Sequence, residues 1–163
     1  MDEKSRKKAF ELHEEGDAQA LFLLIQPFLE KDDPYAHFFY SRIGLTEWNE
    51  SVEAMERRML KHLQIAAEGG VPDAKFHLGC LHFVGDDGAE KDQIKCARLI
   101  KEAAEAGHSE AKIYYGKDLV FGRFGIQKDV EKGLDYLQQA IDEGVEDAEE
   151  HLAFVRKCLV KSE

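Results

Sequence analysis

The chain has 163 residues, 44% of them hydrophobic and 34% charged, which is the composition of one globular domain and excludes a disordered or membrane-embedded chain. Asp and Glu number 33 against 22 Lys and Arg, a net charge of −11. That field repels phosphate backbones and anionic lipid and draws basic partners at low salt, so neither nucleic acid nor membrane is expected as a ligand. The N-terminus, MDEKSRKKAF, is charged from its second residue and predicts no signal peptide. The apolar run from Ala20 to Ile25 is far short of the roughly 20 residues that cross a bilayer. Three cysteines, Cys80, Cys96 and Cys158, form no paired spacing and predict reduced thiols in a cytoplasm rather than a disulfide framework.

In chain order, residues 4–31 read as a helical hairpin turning at Glu15-Gly16-Asp17, with Pro27 bending or shortening its second helix. Pro34, after Asp32-Asp33, suits the first turn of the next helix. A long helix is predicted from about Ser51 to Glu68, after the segment TEWNES with Trp48. From Ala74 the chain begins to repeat itself. The 37 residues from Ala74 superpose without a gap on the 37 from Ala111. Gly79 falls on Gly116, Gly85 on Gly122, Gly88 on Gly125, Asp92 on Asp129, Cys96 on Gly133, Ala103 on Ala140 and Gly107 on Gly144. A third copy starts at Ala148 with only its first helix, and a weaker copy starts at Ala36, where TEWNES replaces the glycine loop.

Each copy resolves into two helices. GDDG or GRFG breaks the chain between them, because glycine adopts the backbone angles that end helices. Asp92 and Asp129 are predicted N-caps of the second helix, and Gly107 and Gly144 its C-terminal stops. Gly79 and Gly116 sit mid-helix, where glycine costs about 1 kcal/mol relative to alanine. Close approach of the paired helix at Cys96 or Gly133 is the expected compensation.

The pattern A-x-x-x-L-G, G-x-x-G-[AVI]-x-x-D, K-[small], A-[AI]-x-x-G resembles the Sel1-like repeat, a relative of the tetratricopeptide class. Ala74, Leu78, Gly79, Gly85, Gly88, Asp92, Lys95, Ala103, Ala104 and Gly107 carry it in one copy. Ala111, Gly116, Gly122, Gly125, Ile126, Asp129, Lys132, Ala140 and Gly144 carry it in the next. The resemblance implies an all-α, right-handed α/α superhelical solenoid of about nine helices. It is read as one domain: a capping hairpin at 1–33, an irregular repeat at 34–73, repeats at 74–110 and 111–147, and a capping helix at 148–163. It also implies a non-catalytic interaction module, of a kind common in bacteria as adaptors, that grips a protein or peptide on its concave surface. By that analogy the inward positions are Phe38, Arg42, Phe76, Cys80, Phe83, Ile113, Lys117 and Phe121, an apolar groove with two cations. Such aromatic and cationic side chains dominate interface energetics. The same apolar stripe is also what a core between helices requires.

The partner is expected to be a protein or peptide, possibly basic, bound by a monomer or weak homodimer that pairs through the end helices around Leu12 or Leu152. A narrower alternative is an immunity protein that neutralises a toxin. A hydrolase is the third reading, set back because the chain lacks the cysteine pattern of the Sel1-like proteins credited with that activity. No cofactor is expected. His77 and Cys80 lie one helical turn apart, but His82 points about 140° away around the helix and no further ligand pair completes a metal site. No GxSxG nucleophile occurs, and the glycine loops lack the lysine and preceding strand of a phosphate loop.

Overall fold

The computed structural model describes residues 1–86 and 88–161, so Asp87 of the GDDG loop and the last two residues lie outside it. Among the described residues there are nine α-helices and no strand. They are α1 (Glu3–Glu14), α2 (Ala18–Leu29), α3 (Pro34–Tyr40), α4 (Val52–Glu68), α5 (Pro72–Val84), α6 (Gln93–Glu105), α7 (Ser109–Phe121), α8 (Val130–Asp142) and α9 (Ala148–Val160). None is long and apolar enough to cross a membrane. The chain divides into two compact units, Met1–Lys91 and Asp92–Glu163.

Helix ends follow the local chemistry. Asp17 and Asp33 cap α2 and α3, accepting from Ala20 N–H and from Tyr35 and Ala36 N–H. Pro34 occupies the first turn of α3. Pro27 does not end α2, which runs two residues further to Leu29. Asp92 accepts from Ile94 and Lys95 N–H, and Asp129 from Lys132 N–H, one repeat apart. Gly85 and Gly122 close α5 and α7 in the left-handed region, at φ 82° and 64°. The backbone pattern that closes α6, His108 N–H to Ala103 C=O at 3.0 Å, recurs at α8 as Val145 N–H to Ala140 C=O at 3.0 Å.

In the first unit the core gathers Ala9, Leu12, Leu21, Ile25, Phe38, Phe39, Leu63 and Ala66. Phe39 is fully buried and meets the Phe10 ring edge-on at 4.9 Å; burying such a side chain contributes about 2 kcal/mol. The irregular corner is built differently from the glycine loops. Helix α3 ends at Tyr40, a 3-10 turn spans Thr46–Trp48, and Asn49 takes the left-handed conformation that a glycine would otherwise supply. Arg58 of α4 holds this segment together. Its guanidinium donates to Tyr40 C=O at 2.8 Å, to Ile43 C=O at 3.0 Å and to the Glu50 carboxylate at 2.9 Å, and it stacks over Tyr40 and Trp48. With its side chain 10% exposed, this arginine replaces the missing loop motif by a planar fork of donors.

In the second unit Ile113, Val120, Leu137, Ala140, Ala148, Leu152 and Val155 form one apolar cluster. Helices α7 and α8 touch backbone to backbone. A methyl group added at Gly116 would lie 2.8 Å from the Gly133 carbonyl oxygen; one at Gly133 would lie 2.6 Å from the Gly116 oxygen and 2.6 Å from Val120 Cγ2. The mid-helix glycine at 116 therefore has the close approach that its propensity cost requires. Replacing either glycine with alanine regains about 1 kcal/mol of helix propensity but forces the helices apart, at a cost of about 1–3 kcal/mol or more. Gly133→Ala, which meets the tighter contacts, is expected to lower the thermal midpoint more than Gly116→Ala. Circular dichroism melts of the two variants check this, and an unchanged midpoint for Gly133→Ala removes the argument.

Candidate functional site

Two helical periods separate what the first helices bury from what they present. The side chains two residues after each starting alanine, Phe38, Phe76 and Ile113, are buried. Those three residues after it in the regular copies and the terminal one, His77, Tyr114 and His151, are half-buried or exposed. A step of one residue turns about 100° around a helix, enough to move a ring from core to surface. These three rings were missed by the inward positions drawn from the resemblance. Their signal was in the sequence all along, as a ring repeated at one register, 37 residues apart.

In the first unit, Arg42, Cys80 and Phe83 are exposed, Phe83 at 51%. Arg42 stands in the turn after α3 rather than on a helix, because α3 has already ended at Tyr40. Its Nη1 lies 3.4 Å from His77 Nδ1, and the His77 ring stacks on Phe38 at 6.0 Å with an interplanar angle of 21°. The buried Phe38 thus orients a ring that stands beside an exposed cation. Burial, followed by the Arg42 charge, holds the His13 imidazole below its usual range, so His13 and Arg42 share one side of the unit. His82 faces elsewhere. It is buried, with Nδ1 donating to Glu90 C=O at 2.7 Å, and it pins the loop after α5. Among the described residues, no three His, Cys, Asp or Glu side chains gather as metal ligands.

In the second unit, Lys117 and Phe121 are half-exposed on α7. Lys117 Nζ sits 5.6 Å from the centre of the Tyr114 ring, which is 46% exposed. Burial, then Arg123, press the Lys117 ammonium below its usual range, and Asp118 opposes them. Burial and then Lys117 lower His151 in turn, which brings α9 to the same side. Arg123, at the tip of the glycine loop, donates to Asp118 Oδ1 at 2.8 Å and lies over Phe121 and Phe124. Phe124 is only half-exposed there. Leu12 and Leu152, on which pairing of two copies was expected to rest, are each buried within their own unit.

Helix pairs that recur every 37 residues, with aspartate caps, paired loop glycines and small residues where helices meet, define an all-α helical repeat protein. Residues 72–108 and 109–145 each match the Sel1 repeat, so the chain contains two such repeats. It resembles the crystal structure of a Sel1 repeat protein from Oxalobacter formigenes, with 27% identity and a TM-score of 0.67 over 79% of this chain and 94% of that one. It also resembles a protective antigen present in uropathogenic Escherichia coli strains that displays an SLR fold. There the identity is 21% and the TM-score 0.64 over 85% of this chain, which spans 29% of the length of that one. No curated protein matches the sequence. Sel1 repeats are in general protein-interaction modules.

Beneath the first unit's face, His37 of α3 and His62 of α4 stack at 4.9 Å with Nδ1 against Nδ1 at 2.7 Å. One Nδ1 must donate and the other accept. Burial, then the charges of His37, Lys61 and Arg58, lower His62 from 6.5 to about 4. A depressed folded value means that the unfolded chain binds the proton first, so this pair's support is complete above pH 6.5 and is lost as pH falls towards 4. Urea melts at pH 7.5 and pH 4.5, which span most of that window, are expected to show a larger loss of stability for wild type than for His62→Gln. Equal losses would remove the histidine pair as the cause.

Proposed function

We propose that the chain is a non-catalytic interaction module that holds a protein or peptide partner on the exposed faces of its first helices. The observation that carries this reading is the placing of cations against rings. Arg42 stands beside the stacked His77, and Lys117 over the exposed Tyr114. Aromatic and cationic groups of this kind supply much of the binding energy where partners meet. In the proposal Arg42, Cys80, Phe83, Lys117 and Phe121 make contact, while Phe38, Phe76 and Ile113 hold the rings and helices in place from below.

A net charge of −11 supports a partner that is basic overall, steered in from a distance. Arg42 and Lys117 would then select acidic positions within it. The same charge supports the narrower reading of an immunity protein for a basic toxin. Co-expression with a toxin encoded beside it should then protect cells, and the absence of both complex and protection removes that version.

The general reading is tested by affinity capture from the native cell with wild type and with Arg42→Glu/Lys117→Glu. Loss of a captured protein by the double variant, at unchanged melting temperature, is the expected result. Equal capture by both removes these faces as the binding surface.

A further inference from the structure

The second unit holds a cavity of about 470 Å³ in which α6, α7, α8 and the turn before α8 converge. Lys101 comes from α6, Tyr115 from α7, Lys128 from the turn and Lys132 from α8, with Asp129 as the one acidic residue of the lining. We propose that this cavity is an oxyanion site that takes a phosphate monoester.

In a chain with three carboxylates for every two cations, lysines are normally spoken for. Among the described residues Lys128 and Lys132 make no ion pair, and Lys101 is only loosely engaged by Glu105 at 4.0 Å. Asp129 is held in the lining as the cap of α8, its Oδ1 accepting the Lys132 backbone N–H. The cavity is thus lined by three lysines against one aspartate, which caps the 13-residue helix α8. The Lys132 ammonium is positioned rather than loose, 5.9 Å from the ring centres of both Tyr115 and Tyr136. Burial and then the Glu105 charge raise the Tyr115 phenol above its usual range.

Ammonium groups act as compact point charges, so their attraction grows with ligand charge and a phosphate dianion is favoured over a carboxylate. The turn itself has the local structure that the fold requires, Gly125 before it and the Asp129 N–H bonded to Leu119 C=O at 2.9 Å. The lysines are not needed to close it. Nothing in this site draws on the partner faces of Arg42 or Lys117, so it stands if they fail.

The test is calorimetric titration at low ionic strength with inorganic phosphate, O-phosphoserine and acetate. Wild type is expected to bind both phosphate probes at least about tenfold more tightly than acetate, a difference of about 1.4 kcal/mol. Lys128→Gln/Lys132→Gln should weaken phosphate at least about tenfold at unchanged melting temperature. Lys31→Gln, in the first unit, should bind as wild type does. Equal affinity for the two phosphate probes assigns a site for the free ion, and tighter O-phosphoserine assigns a phosphorylated side chain; either upholds the proposal. No phosphate binding by wild type, acetate bound as tightly, or a double variant that binds like wild type would overturn it.

Discussion

The second unit depends on a contact with no side chain in it. Where α7 crosses α8, the Gly116 and Gly133 backbones come so close that a methyl group on either would strike the other's carbonyl oxygen. Two mid-helix glycines each weaken their helix by about 1 kcal/mol. The return is a helix pair close enough for Val120 and Leu137 to be fully buried between them. Once that spacing is set, the apolar cluster that includes Leu152 and Val155 of α9 can close over it. The first unit solves the same problem of joining a helix pair with a charge. Arg58 satisfies the carbonyls of the corner between α3 and α4 and is itself covered by Tyr40 and Trp48.

Charge is distributed with the same division of labour. The excess of acid gives the molecule its long-range field, but the groups that punctuate the presented faces are cations or rings. Arg42, Lys117 and Arg123 sit against His77, Tyr114, Phe121 and Phe124. Short-range contacts at these positions therefore oppose the sign of the distant field. A partner that is basic overall and presents an acidic or aromatic segment satisfies both, because screening removes the first effect beyond about 10 Å at ordinary salt and leaves the second.

Much of the fold was legible because the repeat makes its own control. A residue that recurs at a fixed period under differing neighbours reports a backbone need, and Asp92 and Asp129 do cap their helices. The corner at 41–51 was not legible, because it has no second copy. Nothing in TEWNES announces that α3 stops at Tyr40, which places Arg42 in a turn, or that a guanidinium 18 residues on from Tyr40 closes the segment. The candidate faces were half legible. The tetratricopeptide analogy selects positions two, six, nine and ten after each alanine, and the first of these is core in Phe38, Phe76 and Ile113. From that buried position a rotation by one residue, as in His77 and Tyr114, reaches the surface, and an analogy in helix phase cannot resolve 100°.

That rotation also explains why a match to the repeat says so little about the partner. The repeat constrains the positions whose size or backbone angle the packing needs: the alanines, the loop and crossing glycines, the capping aspartates. It leaves unconstrained the register three residues after each starting alanine, where the copies carry His77, Tyr114 and His151. All three are rings, two imidazoles and one phenol, and they meet two different cations: Arg42 beside His77, and Lys117 beside both Tyr114 and His151. Where copies of one unit agree they report the fold; where they differ on an exposed ring the packing does not dictate the choice. On the faces of the first helices, specificity is therefore best sought at the positions the repeat pattern does not name.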